Sequence, residues 1–169
     1  GGISFGADPK MAAEITREIR KSTEKPIIMK LTPNVTDITE IARAAESEGA
    51  DGISLINTLL GMRIDVHHRG PVLSNRMGGL SGPAIKPVAV RMVYQVRRAV
   101  RLPIIGLGGI MSGEDAAEFL MAGADAVSVG TAALVDPAAP VRIKRELIEF
   151  MKQYGYQNLQ QIKEDGYGI

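Results

Sequence analysis

Apolar and polar positions follow two alternating rhythms along this chain: short β-branched runs and longer stretches with helical spacing. The runs Pro26-Ile-Ile-Met-Lys-Leu31, Gly52-Ile-Ser-Leu-Ile-Asn57, Pro103-Ile-Ile-Gly-Leu-Gly-Gly109 and Ala126-Val-Ser-Val-Gly-Thr131 are mostly apolar. Runs of this kind describe parallel strands feeding helices, so strands are expected at 26–31, 52–57, 103–109 and 126–131. Asp8-Pro9 supplies an N-cap and a first-turn proline to a helix carrying Met11, Ile15 and Ile19 through Lys21. A second helix is expected from Asp37 or Thr39 to Glu48, closed by Gly49, and a third from Pro83 to Val100, with Ile85, Val88, Val90, Met92, Val93 and Val96 apolar. Ser112 caps a fourth that ends near Ala122-Gly123, and a last amphipathic helix is expected from Pro137 to Tyr154. Gly1 to Gly6 reads as a glycine-bracketed loop, and 155–169 as a polar tail docked by Leu159 and Ile162.

Residues 58–82 break the rhythm. They hold Gly61, Gly70, Pro71, Gly78, Gly79 and Gly82 and the alternation Met62-Arg-Ile-Asp-Val-His67, which reads as a hairpin excursion between a strand and its helix. Around it the pattern repeats. Ala44-Ala45-Glu46, Gly49-Ala50-Asp51 and Ser54 recur as Ala116-Ala117-Glu118, Gly123-Ala124-Asp125 and Ser128, and Pro26-Ile-Ile recurs at Pro103. A helix, a Gly-Ala-Asp corner and a short strand, repeated, form the unit of a (β/α)8 barrel. Four such units make half of one. The expected fold class is therefore α/β, the C-terminal half of a (β/α)8 TIM barrel with strands five to eight, residues 1–169 forming part of one domain whose other four strands lie upstream. A free-standing doubly wound sheet is the structural alternative, but no Gly-x-Gly-x-x-Gly follows the first strand.

Composition narrows the chemistry. The chain has 169 residues, against about 250 for a whole barrel, and begins Gly1-Gly2 without methionine, as a piece of a longer polypeptide would. A hydrophobic content of 45% with 23% charged residues is that of a globular domain. A net charge of +1 offers neither a nucleic-acid groove nor a polybasic membrane patch. No apolar run approaches the roughly 18 residues of a membrane helix. With no cysteine, disulfides, thiolate metal sites and a cysteine nucleophile or base are excluded within these residues, a composition compatible with the cytoplasm.

The candidate chemistry gathers at the strand ends, where barrels place functional groups. Gly108, Gly109 and Gly130-Thr131 follow the last two strands, the usual phosphate seat of a barrel; alone, each glycine could equally be turn chemistry. Backbone amides there and the N-termini of the following helices would attract an anion. Lys30, in an otherwise apolar strand, either faces an anion or electron-rich ring or snorkels out at the strand end. Asn57-Thr58 holds the equivalent place on the next strand, suited to a planar heterocycle or to a simple turn. Gly78-Gly-Leu-Ser-Gly-Pro83 opens a helix, as a further ligand loop or a flexible end. Adjacent His67 and His68 cannot share a helical face as metal ligands do, and no metal site is expected. Glu114, Asp115 and the charges from Glu146 to Lys152 read as solvated helix faces.

Lys30-Leu-Thr-Pro-Asn34, Ile56-Asn57-Thr58, Gly78-Gly-Leu-Ser-Gly-Pro-Ala-Ile-Lys-Pro87, Gly106-Leu-Gly-Gly109 and Gly130-Thr131 together resemble the dihydroorotate dehydrogenases, in particular the class 1B, NAD-linked catalytic subunit. The resemblance covers nearly the whole chain. It implies FMN-dependent oxidation of (S)-dihydroorotate to orotate in pyrimidine biosynthesis, with hydride passing from substrate C6 to the flavin and a base removing the C5 proton. Carried over by position, Lys30 would contact the flavin ring, Ile56 and Gly82 would line its site, and Gly108, Gly109, Gly130 and Thr131 would hold its phosphate end. Asn57 and Thr58 would bind the substrate. The family's base is a cysteine on a loop preceding the segment that resembles Gly1–Gly6, so no catalytic base is expected here, and these residues alone should neither hold FMN tightly nor turn over. The resemblance further implies a homodimer core within a heterotetramer, with FAD and a 2Fe–2S cluster on a partner subunit that passes electrons to NAD. The rival readings are the pyrimidine-binding flavin domain of a dihydropyrimidine dehydrogenase and a phosphate-binding barrel without redox chemistry.

Overall fold

In the computed structural model, residues 6–167 are described, so the loop expected at the start lies outside them except for Gly6. In chain order, α1 (Pro9–Ser22), β1 (Ile28–Leu31), α2 (Ile38–Ser47) and β2 (Gly52–Leu55) come first. The excursion then contributes β3 (Leu59–Met62), β4 (Ile64–Asp65), β5 (Gly70–Pro71) and β6 (Met77–Leu80). A 3-10 turn, Pro83–Ile85, leads into α3 (Lys86–Ala99), followed by β7 (Ile104–Leu107), α4 (Gly113–Met121) and β8 (Ala126–Ser128). The chain closes with α5 (Thr131–Val135), α6 (Ala139–Tyr154) and α7 (Leu159–Tyr167).

The four expected strands form one parallel sheet in the order β1-β2-β7-β8, the order in which they occur along the chain. Each crossover carries at least one helix, as in consecutive units of a barrel. Lys30 pairs with Ser54, Ser54 with Ile105 and Ile105 with Ala126, so one row of side chains crosses the sheet. Ladders are shorter than the apolar runs because the chain leaves the sheet where it begins to line a cleft. Beyond β2, the Ile56 amide still donates to Leu107 O at 2.8 Å and the Asn57 amide to Leu31 O at 3.0 Å.

The helices cover the outer face. Ile53, Leu55 and Ile104 are fully buried there with Ile38, Ile41, Ala42, Val93, Val96 and Phe119. Burying each of the larger of these side chains contributes about 1.5–3 kcal/mol, which outweighs the weak propensity of four-residue strands. The inner face has no cover among the described residues: Ile28 on β1 is 52% exposed, and Ala126 and Ser128 are open. This open concave face and two unpaired edge strands are what half a barrel presents. On α1 the covered positions are Ala12 and Thr16, while Ile19 of the apolar stripe is exposed.

The excursion is a hairpin within a hairpin. β3 pairs antiparallel with β6, placing Leu59 opposite Leu80, and β4 pairs with β5 at its tip. Three differences from the sequence reading concern the other elements. The third helix begins with the 3-10 turn, an extra short helix, α5, follows β8, and the polar tail folds as α7. Ile162 is fully buried against Ala117 and Leu120, whereas Leu159 remains exposed, so one of the two expected anchors docks the tail. Tyr156 Oη donates to Asp165 at 2.8 Å, and Lys163 pairs with Asp125.

Candidate functional site

The carboxyl ends of the four strands face a shared opening. Lys30 lies third in β1 on the open inner face, and its ammonium has no ion-pair partner among the described residues. Beside it, Asn57 and Thr58 leave β2 at a height set by neighbouring side chains. Asn34 Nδ2 donates to Thr58 O at 3.0 Å and to Thr32 Oγ1 at 3.2 Å, while Asn34 Oδ1 accepts the Leu60 amide at 2.9 Å. One amide side chain therefore joins the loops after β1 and β2, fixing both strand ends.

Across the opening, the loop after β7 turns through Gly108 and Gly109, at φ 129° and 84°. A Cβ on Gly109 would lie 2.8 Å from Gly82 O and 2.9 Å from Lys86 Cβ, so only glycine combines that left-handed turn with this close approach. Gly130 is different: nothing lies within 4 Å of where its Cβ would be. Thr131 Oγ1 donates to Ser81 Oγ at 2.9 Å, linking the loop after β8 to the glycine-rich run before α3. The amides of Gly108, Gly109 and Gly130 donate to no backbone acceptor among the described residues, which leaves them available to an outside anion.

All nine residues singled out from the sequence, Lys30, Ile56, Asn57, Thr58, Gly82, Gly108, Gly109, Gly130 and Thr131, line one cleft of about 150 Å³. Lys30, Asn57 and Thr58 also line a second cleft of about 440 Å³ beneath the hairpin, with Thr32, Asn34, Leu59 and Met77. These three residues are the boundary between a narrow slot backed by glycines and a wider space roofed by β3 and β6.

Two expectations about charge are corrected. The N-terminus of α4 does not supply an anion seat, because its Gly113 amide and the Met111 and Ser112 amides before it already have carboxylate partners. Asp115 Oδ2 accepts from the Met111 and Ser112 amides at 2.8 and 3.0 Å, and Glu146 Oε2 from Gly113 at 2.8 Å. Asp115 and Glu146 are thus caps at loop–helix junctions, Asp115 half-buried and Glu146 still open to water on one side. Burial pushes the Asp115 carboxyl up, but Lys86 and the Met111 amide outweigh it and hold it below the usual carboxylate range. Lys86 in turn is raised above its ordinary value by Asp115 and then Glu118. An anion in the cleft would depend on loop amides and on Lys30.

A family model for dihydroorotate dehydrogenase matches residues 1–151. The chain belongs to the dihydroorotate dehydrogenase family. It is 58% identical over 163 residues, 96% of its length, to the catalytic subunit of dihydroorotate dehydrogenase B (NAD(+)) from Alkaliphilus metalliredigens. The like-named subunit from Desulforamulus reducens is 60% identical over 94% of the chain. The chain spans about half the length of these relatives, 54% and 51% respectively. Among solved structures, the dihydroorotate dehydrogenase of Eimeria tenella in complex with ferulenol superposes with a TM-score of 0.75 at 25% identity, covering 92% of this chain and 48% of that one.

The fold of this family member also brings in residues that pattern alone did not single out. Asn34 holds Thr58, Ser81 meets Thr131, and Lys86 backs Gly109. Asn34 and Ser81 lie inside the motifs that carried the resemblance, and a short polar residue after proline or between glycines was the available signal. Among the described residues no helix is long and apolar enough to cross a membrane.

Proposed function

We propose that this chain forms strands five to eight of an FMN-binding barrel that oxidises (S)-dihydroorotate to orotate in cytoplasmic pyrimidine biosynthesis. The observation that carries this reading is the convergence of nine residues from five separate segments on one cleft. The residues fit the cofactor. Gly130 offers open space where any other residue would carry a Cβ, and the neighbouring unengaged amides suit a phosphate. When bound, FMN supplies an acceptor for the hydride, and with it the two electrons, released by the substrate.

The chain's own residues bind and orient. Gly108, Gly109, Gly130 and Thr131 would hold the phosphate and ribityl end, and Ile56 and Gly82 would form apolar walls. Lys30 would place a fixed positive charge where negative charge accumulates on the ring, an effect that grows as water is excluded. The Asn57 amide both donates and accepts, and with Thr58 would hold the alternating N–H and C=O groups of the pyrimidine. The resemblance implies a cysteine as the group that takes the C5 proton; none of these residues is a cysteine, so that role is assigned to none of them.

The relatives are named catalytic subunits of an NAD(+)-linked enzyme. That name supports a separate electron-transfer subunit, for which we propose FAD and a 2Fe–2S cluster, around a homodimer of the catalytic subunit. Purification of the full-length polypeptide should give a yellow protein whose flavin absorbance bleaches with dihydroorotate under anaerobic conditions. A colourless protein that stays colourless with added FMN would overturn the reading.

A further inference from the structure

Lys86 occupies an unusual place. It lies behind the glycine loop and does not line the cleft, yet it touches that loop at both ends. Its Cβ and amide nitrogen lie against Gly109, each 2.9 Å from where a Cβ would stand. Its ammonium crosses to Asp115 Oδ1 and Glu118 Oε2, both at 2.6 Å. The other oxygen of Asp115 accepts the Met111 and Ser112 amides, which close the same loop. The side chains of Lys86 and Asp115 are 26% and 16% exposed, so the bridge is only partly screened by water.

We propose that Lys86 is a positioning residue: bridged to Asp115 and Glu118, it holds loop 108–112 at the height where the Gly108 and Gly109 amides face the cleft. This rests on the reading of those amides as the phosphate seat. The strut is needed because the loop is glycine-rich and has no ladder of its own. Glycine leaves the backbone many conformations, and each must be removed by packing or by bonds at its ends. Breaking the bridge should loosen the phosphate seat while leaving the inner face around Lys30 in place.

The test compares two ligands that differ only in the phosphate. Dissociation constants for FMN and riboflavin are measured by flavin fluorescence quenching on the full-length protein, with Lys86→Met and Lys163→Met as variants. Lys163 pairs with Asp125 at the opposite end of the sheet and controls for lost stability. In Lys86→Met the preference for FMN over riboflavin should fall about tenfold, the equivalent of one charge-assisted hydrogen bond. Riboflavin affinity should stay unchanged, and Lys86→Arg should recover part of the preference. Lys163→Met should lower the thermal midpoint and leave the preference intact. If Lys86→Met does not fold, Asp115→Asn, which keeps an acceptor for the loop amides, should show the same change at smaller size. An unchanged preference in a folded Lys86→Met or Asp115→Asn protein would overturn the positioning role. Equal affinity of the unmodified protein for FMN and riboflavin would instead overturn the phosphate-seat reading, and the inference with it.

Discussion

The sheet is built from a repeated sequence, and its two ends have opposite chemistry. At the amino end, Asp51 Oδ2 accepts the Ile27 amide at 2.7 Å, and Asp125 Oδ2 accepts the Ile104 amide at 2.8 Å. Each carboxylate also meets an arginine from the helix before the strand it caps, Arg20 of α1 or Arg97 of α3. Those guanidiniums bond carbonyls nearby, Arg20 those of Thr23, Lys25 and Gly49, Arg97 those of Val100 and Leu102. Charges here are satisfied within the protein. At the carboxyl end the repeat fails: one copy ends in Lys30 and Asn57, the other in Gly108-Gly109 and Gly130-Thr131. There an ammonium and several amides have no protein partner among the described residues. Satisfied polar groups stabilise a fold; unsatisfied ones at a cleft mark where a ligand completes it.

If the division holds, a substitution at one end should alter activity and at the other stability, without crossing over. The largest effect is expected for Lys30→Ala in the full-length enzyme, a fall in kcat of about 10²–10³-fold with stability within about 0.5 kcal/mol of the parent. Steady-state kinetics beside a urea melt would check both. Gly109→Ala is the one change expected to cost both ends, because a methyl at φ 84° meets Gly82 O and Lys86. It should destabilise by about 1–3 kcal/mol and weaken FMN binding, as read by denaturant unfolding and flavin titration.

Arg97→Leu tests the opposite end. Its side chain is only 12% exposed, and removal strands the Val100 and Leu102 carbonyls, a cost of about 1–3 kcal/mol in unfolding with kcat unchanged. The smallest effect concerns acid. At Asp51 the Ile27 amide, and then Arg20, hold the carboxyl below its usual range. At Asp125 burial pushes up, but Lys163, the Ile104 amide and Arg97 outweigh it. A carboxylate depressed in this way contributes stability that is present above about pH 4 and is lost as pH falls through the folded value. Unfolding free energy measured downward from pH 5 should therefore fall less steeply in Asp51→Asn than in the parent.

The amino-end device was half legible. Gly49-Ala-Asp51 and Gly123-Ala-Asp125 stand out as repeats, but nothing in either triplet says that its aspartate reaches back to cap the first strand amide. The strands and the cleft were legible because glycine and proline punctuate them and because motif order matched a known family. Lys86, Asp115 and Glu146 were not. The Lys86–Asp115 and Gly113–Glu146 bonds join residues some thirty positions apart, and a charge on an amphipathic helix reads as solvated until a neighbouring helix is packed beside it; only the local bonds of Asp115 to Met111 and Ser112 lay within reach of the pattern. The helix α7 was hidden for a related reason: its polar sequence has a weak pattern, and among the described residues Ile162 is the buried side chain that anchors it.

In the proposed arrangement, the amides after β7 and β8 hold the phosphate of a flavin whose ring lies toward Lys30. A crystal structure of the full-length protein with FMN tests it most directly. The phosphate is expected within hydrogen-bond distance of the Gly109 and Gly130 or Thr131 amides, and the ring beside Lys30. A phosphate seated elsewhere, or a ring on the far side of the sheet from Lys30, would contradict it.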